Sequence, residues 1–384
     1  MENINSVCYV AKIDSISKIE GADNIEQARI GGWNCIIQKD KYNPGDLVVI
    51  ATTDAVIPKE LSDAMEVTNY LRKGGRVRTV KLRGVYSECL IIPFKFAREA
   101  TKHANTKWDE GDDLMDTLKI FKYEPPVKMV QLSSGRKVKY HENPNFPVYY
   151  KFPNMKNVPD IFNEKDTVQI TRKIHGTNAR YGIVKKNKLS FWDKIKRFFR
   201  LADKWIGYEF VVGSHNVEKG SDSQGFYDTN VWYEIADKYK IKEKLWDYIK
   251  DYSIYEDASW PGTGVVLYGE IYGKGIQKGY DYGLDELKFV GFDFVEDGKY
   301  LDTLNTKLAI KDILDLPHVE ILYFGNWSQE IQDKFVFNNF IDGTKVPHEG
   351  IVVKHMNGER GKIAKVINPD YLIYGEKHNI GDSH

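Results

Sequence analysis

With 384 residues, the chain is long enough for two or three domains. Its 42% apolar and 29% charged residues exclude a disordered or collagen-like chain. The 55 basic and 55 acidic residues balance, so the net charge indicates no preference for nucleic acid, and any basic surface must be local.

The cysteines and the apolar runs bear on the compartment of the protein. Cys8, Cys35 and Cys89 are far apart in the sequence and form no CxxC pair, which disfavours a disulfide scaffold or a zinc ribbon. No apolar run reaches membrane-spanning length, and the polar, acidic N-terminus differs from a signal peptide. We therefore expect a cytoplasmic protein with reduced thiols and no membrane partner.

The first part of the chain has the pattern of a β-rich domain. Short strand-like runs are separated by turn signals such as Gly31-Gly32 and Asn43-Pro44-Gly45. The predicted strands include Val7–Ile13, Asn34–Gln38, Asp46–Ala51 and Val77–Leu82. About five short strands in a domain of this size suit a small closed barrel.

One predicted strand of this domain is strongly basic. The run Arg72–Arg83 (RKGGRVRTVKLR) holds six basic residues and no acidic one. Arg76 and Arg78 are expected to share one strand face, as are Lys81 and Arg83. A basic barrel strand suggests an oligonucleotide-binding face, formed by Arg76, Arg78, Lys81 and Arg83, whereas the alternative is a solvated edge strand protected by its charge.

The composition then changes and marks a domain boundary. Residues 121–153 are rich in proline and polar residues, which is typical of a linker. We predict a β-barrel domain over residues 1–125, a linker over 126–155 and a second domain over 156–384.

The second domain mixes predicted helices and strands. Val231–Lys250 has apolar residues at helical spacing and predicts one amphipathic helix, and Phe289–Val295 alternates like a strand. The segment Lys185–Lys204 is basic with interleaved aromatic residues. It predicts either a helix that binds nucleic acid or a membrane surface, or an ordinary surface helix.

Segments that can carry chemistry follow one another in this second domain. In Ile170–Arg180 (ITRKIHGTNAR), a strand-like run presents Lys173, and Gly176 lets the backbone turn closely. A KxxG pattern alone is common, so the interpretation depends on the segments that come after it. These are GSHN, YGEIYG with Glu270, FVGFDF with Phe292, EGIVVK with Glu349 and Lys354, and KIAKVIN with Lys365. A carboxylate within an apolar run, such as Glu270, must be paired or functional.

This ordered set resembles the motifs of the covalent nucleotidyltransferase superfamily, which contains RNA ligases, DNA ligases and mRNA-capping enzymes. The KIHGTN form is similar to RNA ligases, because the other enzymes usually carry Asp where His175 stands. The N-terminal part resembles the OB-fold domain that precedes the catalytic domain in one group of RNA ligases. The resemblance implies an α+β protein: an N-terminal OB-fold β-barrel, then an ATP-grasp-like nucleotidyltransferase domain of antiparallel sheets with flanking helices.

The resemblance also implies an activity, ATP-dependent RNA ligation in RNA repair. Lys173 would attack the α-phosphorus of ATP to form lysyl-AMP, AMP would pass to an RNA 5′-phosphate, and a 3′-hydroxyl would displace AMP. An ordinary lysine has a pKa of about 10.4 and must lose a proton before it attacks. The implied substrates are RNA ends or a nicked duplex with an RNA 3′-OH strand, and we expect a monomer.

Further residues match the nucleotide and metal sites of the family. Glu349 matches the carboxylate that holds Mg²⁺ or Mn²⁺ through water, and Glu270 matches the carboxylate near the ribose and the metal. Phe292 matches the aromatic residue that stacks on adenine. The residues that match phosphate-contacting positions are Asn178, Lys354 and Lys365. The alternatives are ion pairs for the two carboxylates and core packing for the phenylalanine.

Two positions depart from the family pattern. Arg172 stands where these RNA ligases often have Glu before the nucleophile, and Ile363 stands where a second lysine is common. Lys362 is out of phase with Lys365, so it is at best a substitute. Lys354 is also out of phase with the carboxylate at the head of its strand.

Other functions predict different sequences. A DNA ligase or a capping guanylyltransferase usually carries another OB domain after the last motif, and too few residues follow Lys365 here. A nucleic-acid-binding protein with an inactive ligase fold would have lost the nucleophile or a metal carboxylate. Lys173, Glu270 and Glu349 are all present, which favours an active ligase.

Overall fold

The structure is a computed structural model that describes residues 6–101, 106–123, 143–189, 204–215, 218–219, 230–251, 262–277, 279–280, 282–378 and 380. The chain forms two compact units. The first comprises Met1–Val127, Pro153–Phe162 and Val366–Lys377, and the second comprises Lys128–Phe152, Asn163–Lys365 and His378–His384. The first unit therefore contains a piece of the predicted linker and a segment near the C-terminus.

The first unit is built from short antiparallel strands. They are β1 (Cys8–Lys12), β2 (Ser15–Lys18), β3 (Ile25–Ile30), β4 (Trp33–Gln38), β5 (Leu47–Thr52), β6 (Ala55–Val56), β7 (Val80–Leu82), β8 (Val85–Ser87), β9 (Cys89–Ile92) and β10 (Phe121–Lys122). They form sheets in the orders β1-β5-β9 and β2-β3-β4 and the pairs β7-β8 and β6-β10. In β4, buried Trp33, Cys35 and Ile37 alternate with more exposed residues, as one buried sheet face requires.

The basic strand predicted at Val77–Leu82 is shorter than expected. Only Val80–Leu82 is a strand, and Arg76 forms an isolated bridge to Val56. Arg83 lies in the turn after β7, with φ of 48°. The prediction that the four basic residues share strand faces in pairs is therefore wrong, because the regular pleat does not extend to them.

The second unit contains two sheets. Its strands are β11 (Thr167–Lys173), β12 (Thr177–Lys185), β13 (Tyr208–Gly213), β14 (Glu218–Lys219), β15 (Gly264–Gly273), β16 (Leu287–Glu296), β17 (Lys299–Tyr300), β18 (Ile321–Asn326), β19 (Gly350–His355) and β20 (Ile363–Ile367). One sheet has the order β18-β11-β19-β20, and the other has the order β14-β13-β12-β15-β16-β17. The chain passes from the first sheet to the second between β11 and β12, within the KIHG sequence.

The helices are short and flank the sheets. They are α1 (Lys59–Ala64), α2 (Phe94–Thr101), α3 (Met115–Leu118), α4 (Val231–Lys238), α5 (Ile241–Asp251), α6 (Thr303–Lys307), α7 (Gln329–Val336) and α8 (Pro369–His378), and a π-helical turn, Leu308–Ile313, follows α6. The single helix predicted over Val231–Lys250 is wrong. Lys240 adopts a left-handed conformation with φ of 52°, which a helix interior cannot accommodate, so α4 and α5 are separate.

Two buried clusters lie on opposite faces of the six-stranded sheet. One packs α4 and α5, through residues such as Trp232 and Leu245, against strand residues such as Tyr181. The other places Phe146 and Tyr149 on the face that carries residues such as Tyr268. None of the described helices combines the length and the apolar composition that a membrane span requires.

Candidate active site

Lys173 lies at the junction of the two sheets of the second unit. It is the last residue of β11 and is paired in register with Gly350 of β19, so the residue just before β19, Glu349, lies beside it. The Lys173 Nζ atom donates to Glu349 Oε1 at 2.6 Å. The carboxylate is fully buried, whereas the lysine side chain is 21% exposed. The amine is therefore held from one side by an acid and remains accessible from another.

The turn after Lys173 is tightly packed. His175 is buried, and its Nδ1 atom lies 4.0 Å from Glu349 Oε1. A Cβ atom on Gly176 would lie 2.2 Å from the carbonyl oxygen of Ile271, a backbone atom that cannot easily move aside. The glycine of the KIHG sequence is therefore required by the close approach of the turn to β15.

Glu270 and Asn178 lie opposite Lys173 on the other sheet. They are paired in register across β15 and β12. Burial raises the pKa of Glu270 to about 8, while the Lys173 charge opposes this rise and the Glu349 charge adds to it. The Oδ1 atom of Asn178 is buried and has no hydrogen-bond partner among the described residues. Two carboxyl groups and one amide oxygen therefore face the region around Lys173.

These oxygen atoms suit a hard divalent cation. The described part of the chain holds no cluster of three or more acidic, histidine or cysteine side chains that could bind a metal ion alone. Mg²⁺ and Mn²⁺ commonly use only one or two carboxylates together with water and substrate phosphates. The unsatisfied Asn178 Oδ1 atom and the two crowded carboxyl groups fit that mode of binding.

A family model for RNA ligases matches residues 166–367, which is more than half of the chain. The chain belongs to the RNA ligase family. The predicted family and enzyme class are thereby confirmed. A model of an OB-fold domain matches residues 7–94, which confirms the predicted order of an OB-fold domain and a sheet-rich ligase domain. No curated protein is similar enough in sequence to count as a relative.

Solved structures of an RNA ligase from Naegleria gruberi have the same fold. A ligand-free structure is 23% identical, with a TM-score of 0.66, and covers 98% of this chain and 99% of that one. A structure with AMP and Mn is 23% identical, and one with ATP and Mn is 22% identical; both have a TM-score of 0.67 and cover 97% of this chain and 99% of that one.

In this RNA ligase family member, Phe292 lies at an irregular point of β16. The β15–β16 register shifts there, since Tyr268 pairs with Asp293 and the next residue pairs with Gly291. Such a bulge re-aims a side chain. The Phe292 ring is partly exposed and meets the Tyr149 ring edge-on, with centroids 4.9 Å apart. Phe292 thus packs against the buried cluster that contains Phe146 and Tyr149, and part of its ring stays accessible.

A buried charge network lies behind Phe292. Lys354 Nζ donates to the Phe292 carbonyl at 2.9 Å and to Asp293 Oδ2 at 3.0 Å. Arg360 and the Tyr149 hydroxyl also donate to Asp293 Oδ2, at 2.8 and 2.9 Å. Burial opposes ionisation of Asp293, but the charges of Lys354 and Arg360 outweigh it and lower the pKa of the carboxyl.

Lys354 has a structural role in this network. Its ammonium group holds the backbone at Phe292, so the structure gives it a supporting contact, and its binding to phosphate stays a prediction. The contacts of Asp293 with Arg360 and Tyr149 were not predicted from the sequence. The FDF sequence was a signal for the aspartate, but nothing in the sequence pointed to the other two residues.

Lys362 and Lys365, the two lysines of the last motif, have different surroundings. Lys362 donates both to Asp166 Oδ1 and to Oδ2, at 2.9 and 3.0 Å. Asp166 precedes β11 and Lys173 ends it, so they are roughly 20 Å apart along the strand. Lys362 therefore cannot substitute for a lysine at the site. Lys365 lies farther along β20, and its contact with nucleotide stays a prediction.

Arg172 is turned to a different partner. It is buried, and its Nε atom lies 3.1 Å from Glu320 Oε2, while its backbone N–H donates to the Glu320 carbonyl. The arginine that replaces the usual glutamate therefore pairs with Glu320, the residue just before β18.

The basic run of the first unit has acidic partners that the sequence did not reveal. Arg76 pairs with Asp54, Arg78 Nη1 lies 3.6 Å from Glu376 and Lys81 Nζ lies 3.3 Å from Asp370. Asp370 and Glu376 belong to α8, within the same unit. Arg83 is exposed at its turn. RNA binding by these four residues stays a prediction, and it can no longer rest on a lack of balancing carboxylates.

Two sequence features lie outside the described residues. Most of the basic aromatic segment, residues 190–203, is among them, and so is Asn216 of the GSHN motif.

Proposed function

We propose that this protein is an ATP-dependent ligase that joins RNA 3′-OH and 5′-phosphate ends through lysyl-AMP at Lys173. The observation that carries the proposal is the position of Lys173. Its Nζ atom lies 2.6 Å from a fully buried Glu349, and Glu270 and Asn178 face it from the second sheet. The contact with Glu349 orients the amine and leaves one side of it open, as nucleophilic attack on a phosphate requires once the amine has lost its proton.

The first step is attack by Lys173 Nζ on the α-phosphorus of ATP. A bond forms between nitrogen and phosphorus, the bond to the pyrophosphate oxygen breaks, and the ammonium proton leaves to a neighbouring base or to water. Mg²⁺ or Mn²⁺ near Glu349 and Glu270 would stabilise the negative charge that develops on the phosphates. The family's use of ATP and the ATP and Mn in the Naegleria gruberi structures support this assignment.

The remaining residues bind and orient the nucleotide. Phe292 stacks on adenine, and its partly exposed ring beside Tyr149 supports that role. Asn178 contacts the ribose or the phosphates with its buried, unpaired oxygen. Lys365 contributes positive charge to the phosphates from β20.

The RNA substrate is a pair of ends or a nicked duplex with an RNA 3′-OH strand, as in RNA repair. The OB-fold domain supports this proposal, because such domains bind oligonucleotides. The three cysteines are buried and form no disulfide, which supports a reducing compartment such as the cytoplasm. Nucleophile and carboxylates come from one chain, which supports a monomer.

Self-adenylation tests the proposal directly. The full-length protein is incubated with α-labelled ATP and a divalent cation and is then separated by denaturing electrophoresis. We expect label on the wild type and none on Lys173→Ala. The matched control is Lys362→Ala, which removes a lysine paired with Asp166 at the other end of β11 and should keep the label. Label on Lys173→Ala would refute the assignment of the nucleophile.

A further inference from the structure

Three side chains outside the ordered motifs contact the turn that follows Lys173. The Gln277 amide donates to the Gly176 carbonyl. The Tyr282 hydroxyl accepts the backbone N–H of His175 at 2.7 Å. The Tyr280 ring packs edge-on against the His175 imidazole, with centroids 4.8 Å apart and planes at 78°. Successive positions of the turn are therefore fixed from one segment after β15.

The same segment also contacts the loop that carries the buried carboxylate. The Tyr280 hydroxyl donates to the Pro347 carbonyl at 2.7 Å. Pro347 is two residues before Glu349, the partner of the nucleophile. Tyr280 thus touches both loops whose spacing sets the contact between Lys173 and Glu349.

We propose that Gln277, Tyr280 and Tyr282 form a clamp that positions the nucleophile turn for attack. The turn lies between β11 and β12 and outside both strands, so its backbone groups need partners other than a sheet ladder. The clamp supplies such partners to His175 and Gly176. This inference rests on the proposed adenylation of Lys173, and it assigns the three residues a positioning role without contact to ATP.

The energetic reason is the sensitivity of nucleophilic attack to geometry. A displacement of about 1 Å can cost on the order of 100-fold in rate. Burial raises the pKa of Tyr282, so its hydroxyl stays neutral while it accepts the His175 N–H. Loss of that acceptor leaves the amide without its partner and lets the turn shift relative to Glu349.

The test compares two tyrosine-to-phenylalanine variants of the full-length protein. Tyr282→Phe removes the accepting hydroxyl and keeps the ring, which packs on Tyr280 and Tyr272 at 5.1 Å each. Tyr272→Phe is the matched control, because its hydroxyl makes no hydrogen bond to the turn among the described residues. We expect the adenylation kcat to fall about tenfold or more in Tyr282→Phe, with the KM for ATP within about twofold, and neither to change in the control.

A second measurement does not depend on activity. Hydrogen exchange of the His175 amide is followed in the nucleotide-free protein, where we expect it to be about tenfold faster in Tyr282→Phe and unchanged in Tyr272→Phe. An unchanged exchange rate, or an unchanged adenylation rate in Tyr282→Phe, would overturn the clamp. A wild type that takes no label would overturn the proposed function instead, and the exchange experiment would still decide on the clamp.

Discussion

The carboxyl group of Glu270 should carry a proton at neutral pH in the nucleotide-free protein. Burial raises its pKa from 4.5 to about 8, with the Glu349 charge adding to the effect and the Lys173 charge opposing it. The unfolded chain loses this proton near the ordinary pKa. Between about pH 4.5 and pH 8, the folded state therefore binds more protons than the unfolded state, and the free energy of unfolding falls as pH rises.

The size of the effect follows from the pKa difference. Each pKa unit is worth about 1.4 kcal/mol, so the free energy of unfolding should fall by roughly 5 kcal/mol in total as the pH rises from below about 4.5 to above about 8. This contribution is present in full below about pH 4.5 and is lost as the pH rises through about 8. Glu270→Gln is neutral at every pH, so it should match the wild type at low pH and become more stable than the wild type at high pH.

Two measurements test this prediction. The first is the carboxyl ¹³C titration of the glutamates, with Glu270→Gln to assign the signal, and the expected midpoint is near about pH 8. The second is urea unfolding of both proteins across about pH 5 to 9.

Glu286→Gln is the control. Glu286 is exposed, and its contact with Lys238 lowers the pKa of its carboxyl group. Replacing Glu286 should therefore give no gain in the free energy of unfolding at high pH.

The titration also bears on catalysis. A carboxyl group binds a divalent cation in its ionised form, so, if Glu270 contributes to the metal site, binding of the metal–nucleotide pair should release a proton and weaken below about pH 8. A Glu270 midpoint near its ordinary value would refute the reasoning, since it would mean that the carboxyl group is better solvated than its position between two sheets indicates. A Glu270 titration midpoint near pH 8, without proton release when the metal and nucleotide bind, would show that Glu270 is not a metal ligand.

The remaining predictions concern the nucleotide, the charge network and the RNA. Phe292→Ala should raise the KM for ATP roughly 5- to 150-fold, since base stacking is worth about 1–3 kcal/mol, and an unchanged KM would favour core packing. Lys354→Met should destabilise the protein by about 3–5 kcal/mol in urea unfolding, because Asp293 loses a buried partner; a double variant with Asp293→Asn should be less destabilised than the sum of both. Arg78→Ala with Arg83→Ala should weaken RNA binding and lower its salt dependence, leaving self-adenylation unchanged, and an unaltered salt slope would exclude this surface.

The proximity of Lys173 and Glu349 could be predicted because the order of the motifs along the chain is informative even where the residues are far apart in sequence. Lys173 and Glu349 are 176 residues apart in the chain, yet the family resemblance placed both at one site. The barrel strands could also be anticipated, since Trp33, Cys35 and Ile37 alternate with more exposed neighbours. Both features could be predicted because each leaves a signal in the sequence, either a local alternation of apolar residues or a known motif.

Other features depended on contacts that leave no local pattern. Arg72 pairs with Glu376 from the far end of the chain, so the basic run looked unbalanced in sequence. The break between α4 and α5 was missed because apolar residues continue at helical spacing through Lys240. Arg360 lies outside every motif, and only the fold brings it to Asp293.

The surroundings of Lys173, the proposed nucleophile, depend on both sheets of the second unit. Lys173 and Glu349 are fixed by the register of β11 and β19, whereas Asn178 and Glu270 are fixed by the register of β12 and β15. The shortest covalent link between these pairs is the turn through Gly176, which has no room for a side chain. The binding of a nucleotide that contacts both pairs would therefore depend on the distance between the two sheets. For this reason, substitutions in the turn should alter catalysis more than substitutions of equal size at strand residues that lie away from Lys173, Asn178 and Glu270.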